Sequence, residues 1–183
     1  MRVIGGKCKG RRLASFSGSS IRPTSDKVRE AIYNILPMEF PFRRVLDLFA
    51  GTGAMGIEAL SRGADEAVFV DSSLIAINII RKNLESCGLE GASVHRGEAV
   101  SEVRRFARGG EHFDLIIIDP PYNSALVEET LKEIDTEGLL APGGIIVAEA
   151  SKRAPVKNEF PGLELEDERK YGDTLVYFFG KRG

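Results

Sequence analysis

With 183 residues, 43% hydrophobic and 28% charged, the chain suits one soluble domain with a sizeable core and room for a small appendage. No stretch approaches the roughly 20 apolar residues that span a bilayer, and the N-terminus lacks the apolar segment of a secretory signal, which predicts a cytoplasmic protein. The net charge of −2 conceals an asymmetry: residues 1–44 hold ten Lys/Arg against three acids (+7), and residues 45–183 hold 15 against 24 (−9).

The first 25 residues carry Arg2, Lys7, Lys9, Arg11, Arg12 and Arg22 and no acid. A basic arm on an acidic body attracts a polyanion at one end and repels it elsewhere, so nucleic acid is the expected partner. Within the arm, Val3-Ile4-Gly5-Gly6 and Gly10-Arg11-Arg12-Leu13 predict two short strands joined by a glycine-bearing turn. A Ser/Gly-rich loop, 15–20, follows. Arg22-Pro23-Thr24-Ser25 then opens a helix, capped by Thr24 or Ser25 and carrying Val28, Ile32 and Ile35 at helical spacing. Pro37 and Pro41 mark a short linker, so residues 1–43 read as a basic extension and 44–183 as the main domain.

From Arg44 onward strands and helices alternate. Strands are predicted at 44–48, 66–71, 91–95, 113–119 and 143–150, and helices near 53–62, 73–87, 98–107 and 124–136. This pattern implies an α/β doubly wound sheet, mostly parallel, with helices on both faces. The tail departs from it: 163–170, a turn at 171–173 and 174–179 form an antiparallel C-terminal hairpin.

Val45 to Gly56 combines a strand, a glycine turn and a helix start. Gly51-x-Gly53-x-x-Gly56 fits a nucleotide-binding turn, and Asp71, at the end of the next strand, stands where an acid accepts ribose hydroxyls. Ser72 or Ser73 is then available to cap the following helix. Two features favour S-adenosylmethionine over a dinucleotide. Asp47, expected inside the glycine turn, attracts a cationic amino-acid ligand and repels a pyrophosphate. Glu98-Ala99, after the third strand, lies at the level of an adenine edge. The donor set is thus Asp47, Phe49, Ala50, Gly51, Thr52 and Gly53, with Asp71 and Ser72 at the ribose and Glu98 and Ala99 at the base.

Asp119-Pro120-Pro121-Tyr122 follows the apolar run 113–118, at the same rim. A carboxylate and a prolyl carbonyl accept hydrogen bonds from an exocyclic amine, and neither proline has an N–H to compete. The tyrosine face stacks on a base, worth roughly 1–3 kcal/mol. These four are the candidate catalytic residues. Cys8 and Cys87 read as reduced thiols, and His95 and His112 are too few for a metal site, so none is expected.

Taken together these segments resemble the bacterial 16S rRNA guanine-N2 methyltransferase family, S-adenosylmethionine-dependent enzymes of the class I, Rossmann-like type. The resemblance rests on Arg2-Val3-Ile4-Gly5-Gly6, Lys9 to Leu13, Arg22 to Glu30, Asp47 to Gly53, Glu58 to Ala64, the tetrad at 119–122 and Tyr171-Gly172-Asp173-Thr174. It implies methyl transfer to the N2 of one flipped guanine in small-subunit ribosomal RNA, presented on a 30S subunit or an assembly intermediate. It also implies a wall at Arg22-Pro23-Thr24 near the target base, with Lys7, Lys9, Arg11 and Arg12 on phosphates. Three positions depart from the family pattern: Tyr122 for a common Phe, Asp71 for a common Glu, and Glu98 for Asn or Asp.

Two other readings stay open. An adenine-N6 methyltransferase shares the tetrad chemistry, and a non-catalytic rRNA-binding assembly factor could retain the fold. A protein-glutamine methyltransferase would more usually carry Asn in place of Asp119. Composition gives no sign of a large apolar interface, so a monomer is expected.

Overall fold

The structure, a computed structural model, describes residues 1–16, 26–37, 42–121, 124–157 and 159–183. Arg22, Pro23, Thr24 and Tyr122 lie outside these, as does the predicted helix cap at Thr24 or Ser25. Five strands, β1 (Arg44–Leu48), β2 (Glu66–Asp71), β3 (Ala92–Arg96), β4 (Phe113–Ile118) and β5 (Leu140–Ser151), run parallel. β7 (Thr174–Lys181) pairs antiparallel with both β5 and β6 (Leu163–Tyr171), closing a seven-stranded sheet of order β3-β2-β1-β4-β5-β7-β6.

The central strands are nearly all aliphatic because helices cover both faces. On one face Val45, Phe69, Leu115 and Ile117 meet Ile32 of α1 (Asp26–Ile35), Ile57 of α2 (Ala54–Arg62) and Ile80 of α3 (Leu74–Cys87). On the other, Leu46, Val70 and Ile116 meet Val103 and Phe106 of α4 (Ala99–Arg108) and Leu131 of α5 (Ser124–Glu137). This is the α/β doubly wound architecture the alternation predicts. Among the described residues no helix is long and apolar enough to cross a membrane.

The chain runs outward from β1 to β3, then returns to place β4 on the other side of β1. That reversal opens a crevice at the carboxyl ends of β1 and β4, where open α/β sheets bind ligands. Register fixes what meets there. Leu48 pairs with Ile118, so the glycine turn after β1 and Asp119 after β4 leave adjacent strands side by side.

Two elements differ from expectation. β5 begins at Leu140, not 143: Leu140 pairs with Phe113 across a register shift, and the strand carries Pro142 and Gly143 on its way to regular pairing from Ile145. The N-terminal hairpin narrows to one antiparallel bridge, Arg2 with Arg12, and a 3-10 turn over Gly6–Cys8. Backbone bonds from Val3 N to Arg11 O (3.0 Å) and Gly10 N to Val3 O (2.8 Å) hold the two limbs. A longer ladder does not form because the backbone amides beyond Val3 are used elsewhere.

Their partner is Glu58. Its carboxylate has no exposed surface and accepts from Ile4 N (2.8 Å), Gly5 N (2.7 Å) and Arg62 Nε (2.8 Å). The Arg29 guanidinium, equally buried, lies 4.0 Å from it and donates to the Arg2 carbonyl. Ser61 donates to Gly5 O at 2.6 Å and accepts from Cys8 N at 2.9 Å. Gly6, at φ +70°, runs so close to the Ser61 carbonyl that a Cβ would collide with it. Val3 and Leu13 join the core cluster that also holds Val45 and Ile57. The arm is therefore strapped across α2, and its charged side chains project from an anchored backbone.

Candidate active site

The turn after β1 is tightly wound. Phe49 (φ +60°), Gly51 (φ +56°) and Gly53 (φ +76°) are all left-handed, and Gly53 N–H closes on Ala50 O at 2.7 Å. A bulky aromatic residue in that region is uncommon, and such strain gathers at ligand sites. Gly56, one turn into α2, lies so near the Phe69 ring that a Cβ there would overlap it, so the glycine seats α2 against β2.

Asp47 stands two residues ahead of the turn, within β1, rather than inside it. It is 2% exposed, and one oxygen accepts from Gly56 N at 2.9 Å. Burial pushes its carboxyl well above the ordinary carboxylate range; the nearby Asp119 and Asp71 carboxylates add to the rise, while the Gly56 bond opposes it. Asp47 thus bears directly on stability. The unfolded chain ionises near pH 3.8, the folded one at a higher pH, so stability falls as pH rises between the two. Asp47→Asn keeps an acceptor for Gly56 N–H and removes this penalty. Calorimetric scans are expected to show Tm above the parent at pH 8 and little changed below pH 4; an equal shift at both would exclude a titrating Asp47.

Asp71 ends β2, and each oxygen takes one backbone donor: Gly51 N and Ser73 N, both at 2.8 Å. It holds the glycine turn against the start of α3, and each oxygen keeps a lone pair for a further donor such as a ribose hydroxyl. Capping falls to Ser73, whose Oγ accepts from Ala76 N at 3.4 Å. Ser72 is exposed, with its carbonyl accepting from Arg96 Nε at 3.1 Å. Glu98 occupies the N-cap position of α4, exposed and with no side-chain cap bond, while Ala99 beside it is buried. Ala50 is buried under the turn, with its N–H bound to Val70 O at 2.9 Å. Thr52 is 6% exposed and turns inward, Oγ1 to the Met1 sulfur at 3.4 Å.

Asp119 is half-buried, Pro120 buried and Pro121 exposed. Asp47 and Ile117 are paired across β1 and β4, and Asp119 lies two residues beyond Ile117, so both carboxylates face the same side of the sheet. Three acids, Asp47, Asp71 and Asp119, therefore converge on one rim, an environment that favours a cationic ligand. The chemistry available is recognition of a positively charged group beside an acceptor pair suited to an amine.

Below this rim the arm carries Lys7, Lys9, Arg11 and Arg12, all exposed. With Cys8, Gly10 and Ser86 they line an open hollow of about 660 Å³. The sulfur of Cys8 donates to Cys87 O at 3.3 Å, and both cysteines are free thiols.

A family model described as "Conserved hypothetical protein 95" matches residues 1–180. The chain belongs to this family. "Putative rRNA methyltransferase YlbH" of Bacillus subtilis (strain 168) is 40% identical over 184 residues, covering 100% of both chains. "Ribosomal RNA small subunit methyltransferase D" of Escherichia coli (strain K12) is 34% identical over 161 residues, 88% of this chain and 78% of that one. Among solved structures, "Putative methyltransferase yhhF from Escherichia coli" superposes with a TM-score of 0.85 at 28% identity, covering 100% of this chain and 97% of that one. The protein is a methyltransferase of the class I, Rossmann-like fold.

For several residues that support the candidate site, the sequence did not show the role they play. Glu58 and Ser61, within the segment Glu58 to Ala64 that carries the resemblance, anchor the arm from α2; their signal was a charged and a polar residue in the otherwise apolar stretch Ala54–Ser61. Asn83, 1% exposed on α3, carries no motif at all. Its Nδ2 donates to Thr52 O at 2.9 Å and Ala14 O at 3.1 Å, and its Oδ1 accepts from Ala14 N at 2.7 Å. Phe16 reaches the same turn, its ring 3.9 Å from where a Gly51 side chain would begin.

Proposed function

We propose that this methyltransferase moves a methyl group from S-adenosylmethionine to the exocyclic N2 of a flipped guanine in small-subunit ribosomal RNA. The observation that carries the reading is the pairing of Leu48 with Ile118, which sets the glycine turn and Asp119 next to each other at one rim. The ribosomal RNA named for the relatives supports the substrate class. The donor side fits its ligand: the left-handed turn from Phe49 to Gly53 leaves backbone close to the crevice, Asp71 retains acceptor capacity, and the three acids suit a sulfonium and an ammonium.

S-adenosylmethionine, when bound, supplies a methyl group on a cationic sulfur that leaves as a neutral thioether. The protein's own part is alignment. Unstacking the guanine costs a few kcal/mol, less in a loop than in a duplex. Asp119 and the Pro120 carbonyl accept hydrogen bonds from the two N2–H groups and orient the nitrogen lone pair toward the donor side. Tyr122, next in the chain after Pro121, supplies the stacking face. The released proton passes to Asp119 or to water. On this reading Ser72, Glu98 and Ala99 flank the adenosine, and Arg22, Pro23 and Thr24 stand near the target base.

Lys7, Lys9, Arg11 and Arg12 contact phosphates, which position the RNA without reading its sequence. Replacing all four by alanine is expected to weaken RNA binding and to flatten its salt dependence, the slope of log K against log salt shrinking by about 0.7–0.9 for each phosphate no longer neutralised. Fluorescence anisotropy at several salt concentrations reads both. An unchanged slope would exclude the arm from the phosphate interface. The whole arm should not be deleted for this test, because Val3 and Leu13 belong to the core.

The direct test is labelled-methyl transfer to 30S subunits from cells lacking this protein, followed by nucleoside analysis and mapping. N2-methylguanosine in the small-subunit RNA supports the reading, which also implies a cytoplasmic monomer. N6-methyladenosine would replace it with the adenine alternative, and binding of RNA without methyl transfer would leave an assembly factor.

A further inference from the structure

We propose that Asn83 is a positioning residue that couples donor binding at the glycine turn to RNA binding on the basic arm. This rests on the RNA-methylating reading above. Among the described residues the arm and the turn meet at three places. Asn83 spans them, its amide hydrogens on Thr52 O and Ala14 O and its oxygen on Ala14 N. Thr52 Oγ1 meets the Met1 sulfur at 3.4 Å, and Phe16 lies against Gly51.

The chemistry of Asn83 leaves little slack. The side chain has two N–H donors and one carbonyl oxygen, all three groups are used, and it is 1% exposed. A shift of the Thr52 carbonyl must therefore move the amide, and with it the backbone at Ala14, or break a buried bond. Ala14 follows closely on the stretch 7–12 that bears the phosphate-binding side chains, and the Leu13 N–H is itself bonded to Met1 O at 3.2 Å. Ligands at either end thus bias one shared backbone arrangement, and linkage makes the effect reciprocal.

The experiment uses the full chain with S-adenosylhomocysteine as donor-site probe and a small-subunit ribosomal RNA fragment as arm ligand. Hydrogen exchange comes first and needs no RNA. In the unsubstituted protein the Ala14 amide is expected to gain protection when S-adenosylhomocysteine binds, and in Asn83→Ala this gain is lost. Calorimetric titration follows: RNA tightens S-adenosylhomocysteine binding about tenfold in the parent and less than about twofold in Asn83→Ala, within the usual range of coupling. Asn83→Asp keeps the acceptor for Ala14 N and loses the donors to Thr52 O and Ala14 O, so it is expected to retain protection of the Ala14 amide in the unliganded state and still lose the coupling. A residue that served stability alone would lower Tm and both affinities while leaving the ratio unchanged, and that result overturns the proposal. So does an Ala14 amide indifferent to S-adenosylhomocysteine in the parent. If Ala14 responds as expected but RNA does not bind the parent, the RNA reading falls and the Asn83 link between turn and arm stands.

Discussion

Asp119→Ala is expected to reduce methyl transfer by at least about a hundredfold, the scale on which a positioned proton acceptor contributes. The same substitution should leave the affinity for S-adenosylhomocysteine close to that of the parent, because Asp119 follows β4 whereas the turn and Asp71 belong to β1 and β2. One secondary effect has a definite sign. The Asp119 charge contributes to holding the Asp47 carboxyl up, so its removal eases ionisation of Asp47. Single-turnover transfer of labelled methyl and a parallel binding titration separate the two consequences. Turnover within about tenfold of the parent would remove Asp119 from the chemistry.

Glu58→Ala is expected to be the most damaging change to the fold. The carboxylate lies in a fully buried setting between Arg62 Nε and the amides of Ile4 and Gly5, with Arg29 close by. Truncation leaves two backbone donors without their acceptor and takes from the buried Arg29 guanidinium one of its two nearby carboxylates, the other being Asp26 at 3.2 Å, a destabilisation on the order of 3–5 kcal/mol. Glu58→Gln keeps an acceptor and the volume but not the charge, so it should fall between. Urea denaturation measures the stability. Trypsin provides a local readout, since Lys7, Lys9, Arg11 and Arg12 are exposed cleavage positions whose backbone the anchor immobilises. Faster cleavage there with the main domain intact would show the strap released; parent-like cleavage and stability in Glu58→Ala would refute the anchoring.

The elements of the main domain were readable because each obeys one local rule. β1, β2 and β4 are short aliphatic runs bounded by polar or glycine residues, and α3 opens on Ser73 and closes on a left-handed Gly88. In the C-terminal hairpin β6 opens on the alternation Leu163-Glu164-Leu165-Glu166, and β7 carries the apolar run Leu175 to Phe179 after the turn at Gly172. Local rules fail where a distant partner decides. Ile4-Gly5-Gly6 looks like strand followed by turn, but its amides go to Glu58, more than fifty residues away. Pro142-Gly143-Gly144 looks like the entrance to β5, yet Leu140 already pairs with Phe113.

The candidate site divides in the same way. Asp71 and the tetrad announce themselves by their place after apolar runs, since the ends of parallel strands are where such sheets hold ligands. Asp47 was recognisable as part of the turn motif, but its depth within β1 and its bond to Gly56 depend on how α2 packs on Phe69. Asn83 was invisible, because an asparagine midway along a helix normally faces water. The arm and the glycine turn, both bonded to its side chain, make it an interior group.

The location of Met1 has a practical bearing on handling this protein. Its sulfur touches Thr52 and its carbonyl holds Leu13, so a peptide fused ahead of it would emerge beside the donor crevice. An affinity tag is better joined after Gly183, on the exposed stub beyond β7, near the far edge of the sheet.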